Sequence, residues 1–251
     1  MTDSLRSRRQ GDVLVLEMHR PERHHALNFE LASALTEAID GAEQDDSVRV
    51  IVLTGTGEKA FCAGQDMLEA SGIEADVRPG GKTSAYLAID RFHRARLPII
   101  AAVNGYCYGG GAALAIACDI RLASERATFR LPGAEYGLVV GAASLPRLIG
   151  AAKAKELIFT ARKFAADEAL RCGFVNQVIP GDQLMASALE MAEQIAANSP
   201  IAVRESKRVI DMATVEPAAF QTEDEINSRL RGSDEQSQRF MQATRKVTGR
   251  E

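Results

Sequence analysis

The sequence holds no uninterrupted apolar run of membrane-spanning length, and its first residues (Met-Thr-Asp-Ser-Leu-Arg) lack the apolar centre of a signal peptide. A protein without a membrane partner is therefore expected. Neither charge dominates: 30 Lys plus Arg stand against 34 Asp plus Glu, a formal net charge of −4. That balance leaves no electrostatic footprint for nucleic acid. The four cysteines stand apart at 62, 107, 118 and 172 with no C-x-x-C pair, which argues against a disulfide framework or a zinc site and fits a reducing, cytoplasmic setting. His24 and His25 are adjacent, so on a helix or strand their rings diverge, and no metal is expected.

What is present is an ordinary globular composition. The 251 residues are 46% apolar and 25% charged, enough for one large α/β domain, or a domain with a small appendage, around a sizeable core. The early basic cluster Arg6, Arg8 and Arg9 reads as a solvated tail.

Short β-rich apolar runs alternate with helical patterns. Residues 12–18 read as a strand, and Arg20-Pro-Glu-Arg23 as a turn. Over 29–46, Leu31, Leu35, Ala38, Ile39 and Ala42 form the stripe of an amphipathic helix, with Asn28 as its N-cap. Residues 48–53 and 99–103 are continuous apolar runs of the kind found in strands covered on both faces. Between them, Gly72, Pro79, Gly80 and Gly81 mark a mobile loop over 69–83, followed by a helix over 84–94. Further strands are expected over 119–123 and 175–179. The alternation makes the chain α/β with parallel pairing. Beyond residue 182 the pattern is helical, with Ser199-Pro200 as an N-cap and first-turn proline. These last helices are too few to enclose a core, so they must pack on the main body or on a neighbouring subunit.

Two segments that follow buried strands carry the chemistry: Lys59-Ala-Phe-Cys-Ala-Gly-Gln-Asp-Met-Leu68 and Asn104-Gly-Tyr-Cys-Tyr-Gly-Gly-Gly111. The second reads as a turn opening onto a small-residue helix over 112–117. Ligands in α/β sheets bind beyond the carboxyl ends of strands. Successive glycines at a helix start bring free N–H groups close to a ligand, where the helix dipole favours a developing oxyanion. The same glycines also suit tight helix–strand packing, and composition alone does not separate the two readings. A dinucleotide fingerprint is not formed, because Gly109-Gly-Gly-Ala-Ala-Leu lacks the third glycine.

Phe61-Cys-Ala-Gly-Gln-Asp-Met67 resembles the first oxyanion-hole motif of the crotonase (enoyl-CoA hydratase/isomerase) family, F-x-A-G-x-D-[LIM]. Ala101-Ala-Val-Asn-Gly-Tyr-Cys-Tyr-Gly-Gly-Gly111 resembles the second, A-x-x-x-G-x-x-x-G-G-G. Supporting matches run in order through most of the chain: Arg20-Pro-Glu-Arg with Ala26-Leu-Asn, Cys118-Asp-Ile-Arg-Leu-Ala, Arg147-Leu-Ile-Gly150 and Ala169-Leu-Arg-Cys-Gly-Phe-Val-Asn.

The resemblance implies an α/β spiral of ββα units over 1–190 carrying an acyl-CoA site. A helical region over 191–251 would build a homotrimer that can double to a hexamer. The main-chain N–H groups of Gln65 and Gly110 would form the oxyanion hole around a thioester carbonyl. Ala26, Ala63, Asp66 and Leu68 would line the coenzyme A side, and Tyr86 a pocket wall. Coenzyme A would enter as part of the substrate, with no separate cofactor.

The departures from the family pattern matter as much. The family's hydratases carry glutamates where this chain has Ala113 and Gly133, and some relatives an aspartate where it has Gly141. Water addition needs a general base and acid, so ordinary hydratase activity is doubtful, and restoring both glutamates is expected to return some of it. Glu135 is the candidate replacement. If its segment is extended, alternation keeps it on the same face as Gly133, about 7 Å along. A surface position is the competing reading, as it is for Arg130. Two functions stand side by side: an enoyl-CoA hydratase/isomerase-type enzyme with an atypical acid/base, and a non-catalytic acyl-CoA-binding protein.

Overall fold

The computed structural model describes residues 3–70 and 83–249. The expected loop over 69–83 falls almost entirely outside the described residues. The strands are β1 (Leu5–Gln10), β2 (Val13–Met18), β3 (Val50–Gly55), β4 (Ala60–Cys62), β5 (Ile99–Val103), β6 (Tyr106–Tyr108), β7 (Ile120–Ser124), β8 (Thr128–Arg130), β9 (Phe164–Ala165) and β10 (Gln177–Ile179). The helices are α1 (Phe29–Gln44), α2 (Met67–Ala70), α3 (Ser84–His93), α4 (Gly110–Ala117), α5 (Pro146–Ile149), α6 (Ala151–Thr160), α7 (Ala166–Arg171), α8 (Leu184–Ala196), α9 (Pro200–Thr214), α10 (Pro217–Leu230) and α11 (Asp234–Thr248).

Six strands form one sheet in the order β1-β2-β3-β5-β7-β10, parallel from β2 onward, and β4-β6-β8-β9 form a second. Each of β3, β5 and β7 in the first sheet is followed directly by β4, β6 or β8 in the second. The chain thus climbs as a spiral, and helices α3 and α4 close two of its turns.

The continuous apolar runs are explained by burial on both faces. Along β3, Ile51 and Leu53 join the main core, while Val50 and Val52 pack on the other side with Leu184, Ala188 and Ala192 of α8. On β5, Ile99, Ala101 and Val103 face one way and Ile100 and Ala102 the other, the period of two that a strand imposes. Leu31, Leu35 and Ile39 of α1 are fully buried, each burial stabilising by about 1.5–3 kcal/mol. The Asn28 side chain accepts from Leu31 N at 3.0 Å, and Ser199 caps α9 through Ala202 N at 3.3 Å.

The residues read as a basic tail are instead an edge strand. β1 pairs antiparallel with β2, Arg8 opposite Val15, and its arginines stay exposed, with Arg8 against Glu17 and Arg9 against Asp45. A charged edge strand discourages pairing with other chains, and five consecutive polar residues hide the strand from pattern reading. Similarly, the turn expected over 104–111 contains β6, and α4 begins at Gly110 rather than Ala112.

One contact seats α4 on β4 of the second sheet. A β-carbon on Gly111 would lie 2.1 Å from the Cys62 carbonyl oxygen and 2.7 Å from its carbon. Neither is a flexible side chain, so only a backbone shift relieves the clash. Gly111→Ala is expected to cost at least the upper end of the ~1–3 kcal/mol typical of overpacking, measured as a fall in urea midpoint. An unchanged midpoint would contradict the contact.

Candidate functional site

The site forms where the loop after β4 meets the start of α4. β4 and β6 run parallel, with Cys62 opposite Cys107, so the residues beyond them emerge side by side. Gly64, at φ +104°, has no room for a side chain: a β-carbon there would lie 2.8 Å from Tyr108 O and 3.0 Å from Gly110 N. On the other side, a β-carbon on Gly110 would lie 3.3 Å from Gln65 N. The main-chain amides of Gln65 and Gly110 therefore lie close together. Gly110 is the first residue of α4, where an N–H has no intrahelical acceptor. Gln65 sits in a bridge with Leu27 whose hydrogen bonds run through Leu27 N to Gly64 O and Asp66 N to Leu27 O, leaving its own N–H out. Neighbouring main-chain donors at a helix N-terminus can, in general, receive an oxygen that gains negative charge.

A buried cation holds the far end of that helix. Arg121 donates to Cys118 O at 2.7 Å, Ala115 O at 3.3 Å and Phe174 O at 2.8 Å. It meets the carbonyl end of α4, complementing the dipole whose positive end is at Gly110.

The segment before α1 is held by Arg20. Its guanidinium donates to Ala26 O at 2.5 Å and to Asp66 Oδ2 at 3.0 Å. Asp66 Oδ1 accepts from Leu68 N at 3.1 Å at the start of α2. His25 is locked as the neutral Nε2–H tautomer, because Nδ1 accepts from Arg20 N while Nε2 reaches Thr56 O, both at 3.0 Å. Burial pushes its pKa below the ordinary histidine value.

These elements open onto a cleft of about 2630 Å³ between the spiral and the C-terminal helices. Ala26, Ala63, Gln65, Asp66, Leu68 and Gly110 line it, and so does Tyr86. The Tyr86 hydroxyl is engaged: it donates to Asp224 Oδ2 of α10 at 2.7 Å, and burial together with that carboxylate pushes its pKa up to about 12. Ala113, Gly133 and Gly141 line the cleft without any carboxylate of their own.

Glu135 requires a correction. Its segment is not extended: Gly133 has helical torsions and Ala134–Tyr136 form a 3-10 turn, with Leu138 N returning to Gly133 O at 2.8 Å. Alternation therefore does not apply. The Glu135 side chain is exposed, ion-paired with Arg130, and absent from the cleft lining. Gly133 itself has no space for a longer residue, since a β-carbon would lie 2.9 Å from both Leu138 O and Val140 Cγ2.

Three contributions were not visible in the sequence: the Arg20 clamp, the α10 wall carrying Phe220, Glu223, Asp224 and Asn227, and His93. Arg20 stood within a recognisable turn, but nothing local announced its partners. The α10 residues lie eighty or more positions from the segments they touch.

Taken together, a two-sheet ββα spiral with paired main-chain donors at a helix start defines the class of protein. The model of the family described as enoyl-CoA hydratase/isomerase matches residues 8–246; the chain belongs to this, the crotonase, family. It is similar to the short-chain-enoyl-CoA hydratase of Clostridium acetobutylicum, 41% identical over 209 residues that cover 81% of this chain and 79% of that one. It also resembles the carnitinyl-CoA dehydratase of Salmonella typhi, 37% identical over 83% of this chain and 80% of that one. The crystal structure of an enoyl-CoA hydratase/isomerase from Pseudoalteromonas atlantica superposes with a TM-score of 0.88 at 33% identity, covering 97% of each chain.

His93 makes the docking of α10 sensitive to pH. It lies edge-on to Phe220 of α10, with ring centroids 5.0 Å apart. Burial, reinforced by Arg147 and Lys207, holds its pKa down to about 4 from 6.5. The unfolded chain takes the proton first, so the stability that the neutral ring contributes is complete above pH 6.5. It is lost as pH falls toward 4, roughly 3 kcal/mol in all. Urea unfolding at pH 7.5 and 4.5 is expected to show this loss in the wild type and a smaller one in His93→Phe. Equal losses would contradict it.

Proposed function

We propose that the chain binds an acyl-coenzyme A thioester along this cleft, with the thioester oxygen received by the N–H groups of Gln65 and Gly110. The carrying observation is the close approach of those two amides at the start of α4. Main-chain donors that are already aligned need no reorganisation as charge develops, and losing one such donor typically slows an enzyme about 10²–10³-fold. The bound thioester would be polarised toward its enolate, the intermediate shared by hydratase and isomerase chemistry. Ala26, Ala63, Asp66 and Leu68 would line the coenzyme A portion, with Asp66 acting through its hold on Arg20 and α2 and not by direct contact. The size of the cleft, above the ~300–1,000 Å³ of small-molecule sites, supports a ligand as large as acyl-CoA, as do the names of the relatives.

Addition of water is a poor fit to these residues. Neither Ala113 nor Gly133 can carry a proton, and each general acid or base typically contributes about 10²–10⁴-fold. Acetyl- and crotonyl-CoA are expected to raise the melting temperature with concentration, while crotonyl-CoA hydration stays far below that of the related hydratases. No thermal shift at millimolar ligand would overturn the binding reading, and ordinary hydration rates the account of the missing acids. Ala113→Glu with Gly133→Glu is not expected to restore hydration, contrary to the expectation from sequence, because Val140 and the Leu138 carbonyl occupy the space beside residue 133. If the wild type binds but transforms no acyl-CoA, the reading reduces to a non-catalytic acyl-CoA binder.

The same reading includes self-association. Ile201, Val209 and Met212 share one face of α9 and are 58–72% exposed, an apolar face of a kind that closed symmetric oligomers cover. A homotrimer, or a hexamer of two trimers, is expected by light scattering at micromolar concentration. A monomer would rule it out. The four cysteines are free thiols, which supports a cytoplasmic setting.

A further inference from the structure

Helix α10 reads the segment after β8 through two side chains one turn apart. Asn227 accepts from Val139 N at 3.0 Å and donates to Val139 O at 2.7 Å. Glu223 accepts from Gly141 N at 3.0 Å through one oxygen and from Ala143 N at 2.8 Å through the other. The segment so held runs along the cleft wall: Val140 fills the space beside Gly133, and a β-carbon on Gly141 would lie 3.8 Å from Ile116 of α4, one turn beyond Ala113. Glu223 therefore sits one hydrogen bond from Gly141 and lines the same cleft as Ala113 and Gly133.

Four of the other carboxylates lining the cleft are held by a cation. Asp66 pairs with Arg20, Asp90 with Arg94, Asp119 with Lys207 and Asp211 with Arg147. Asp224 accepts from the Tyr86 hydroxyl and Glu225 from Gln221, while Glu69, on the short α2, accepts from Phe29 N through one oxygen and keeps the other buried without a partner among the described residues. Glu22 is exposed on the opposite rim. Glu223 is half-buried and, among the described residues, has no cationic partner. Burial pushes its pKa above the ordinary glutamate value, outweighing the hydrogen bonds from Ala143 and Gly141 that pull it down. A carboxyl so placed exchanges its proton more readily near neutral pH than one held by a guanidinium.

A single proton carrier suits one reaction class better than hydration. Water addition needs one group to take a proton from water and a source for the proton delivered to carbon. Moving a double bond needs only one group, which removes a proton and returns it elsewhere on the same ligand. We propose that Glu223 is the proton carrier of this site, shifting the double bond of a 3-enoyl-CoA to the 2-position, an inference that rests on the acyl-CoA reading above. The Glu223 carboxylate takes a proton from carbon 2. The pair of that C–H bond forms the carbon 1–carbon 2 double bond, and the carbonyl π pair moves onto the thioester oxygen facing Gln65 and Gly110. The oxygen's pair then restores the carbonyl and the new double bond shifts to carbons 2 and 3. The pair released from carbons 3 and 4 takes the proton back from Glu223 at carbon 4. Nothing is gained or lost, and no co-reactant is required.

The test uses trans-3-hexenoyl-CoA as the reactive probe, followed by the absorbance of the conjugated product, and saturated hexanoyl-CoA as the binding probe in calorimetry. Glu223→Gln sets an amide N–H₂ against one main-chain N–H, so Glu223→Asp, which keeps both acceptor oxygens but withdraws them, is measured alongside. The expected result is isomerisation by the wild type and a loss of at least about 10²-fold in kcat in both variants. Hexanoyl-CoA affinity should stay within about threefold, as befits a group acting in the transition state. Wild-type kcat/KM should fall on the acid side with an apparent pKa above 4.5, the ordinary glutamate value, and that limb should vanish from the residual activity of Glu223→Gln. The neighbouring titratable and charged groups on the packed elements are Asp224, Tyr86, His93 and Arg231, all lining the cleft; His93→Phe should leave the limb in place. A folded variant that keeps more than about a tenth of kcat overturns the proposal, as does a wild type that binds hexanoyl-CoA but moves no double bond. Should neither variant fold, the wild-type pH profile decides, and absence of the acid limb overturns it. Failure of the wild type to bind hexanoyl-CoA removes the acyl-CoA reading itself, and this proposal with it.

Discussion

The closest backbone approach in the site, that of α4 to the loop after β4, governs the rest of the structure. Gly111 rests on the Cys62 carbonyl, Gly64 on Tyr108 O and Gly110 N, and Gly105 leaves only 2.2 Å between a hypothetical β-carbon and Lys59 O. Glycine is costly in the unfolded chain's entropy, and here several glycines occur within a few residues of one another. The offset is the parallel pairing of β4 with β6 and the burial of Ala112, Leu114, Ala115 and Ile116 behind it. Because the helix is seated by backbone contact, its first N–H cannot drift relative to Gln65. Arg121 seats the other end, so the dipole of α4 is oriented by contacts at both termini and the site inherits that rigidity.

The C-terminal helices divide into distinct physical roles, although all four are amphipathic. α8 covers one face of the large sheet with Leu184, Ala188, Ala192 and Ala196 and belongs to the core. α10 and α11 contribute few buried residues, yet Asn227 and Thr244 are among them, and their attachment is largely polar. Asn227 and Glu223 satisfy the main chain at 139–143, Tyr86 reaches Asp224, and Tyr136 meets Phe240 edge-on at 6.3 Å. Hydrogen bonds of this kind contribute about 0.5–1.5 kcal/mol each. The wall they form is held more by polar contacts than by apolar burial.

Much of this architecture was legible in the sequence, and the exceptions have physical causes. Long periodic or continuous apolar segments announced α1, β3 and β5, and the caps at Asn28 and Ser199 lay where their chemistry requires. The glycine-bearing loops announced the close backbone approach itself, whereas Gln65 and Gly110 came from the resemblance of their motifs. By contrast, β4, β6 and β8 span three residues each, fewer than any alternation can reveal, and β1 was masked by its run of polar residues. Glu135 was misplaced because the period-two argument presumed an extended segment, while Gly133 and Gly137, the latter at φ +72°, close a turn instead. Glu223 could not be inferred at all, since its relation to residues 141 and 143 exists only after α10 has docked.

The electrostatics of the cleft then follow from what occupies its walls. Where side chains at 113 and 133 would approach a reacting carbon, the structure offers a methyl group and a glycine closed off by Val140. Both changes remove negative charge from the neighbourhood of an oxygen that is itself becoming negative. Like charges at close range in a low-dielectric setting repel strongly, so the paired donors at Gln65 and Gly110 act with less opposition than they would beside two carboxylates. An enolate held there would be stabilised by main-chain dipoles in place of solvent and shielded from competing protonation. Its fate would then depend on whichever protein group can return a proton across that wall. Under the proposed acyl-CoA reading, such walls would favour forming the anion over hydrating the alkene, a preference owed to two missing side chains and one packed valine.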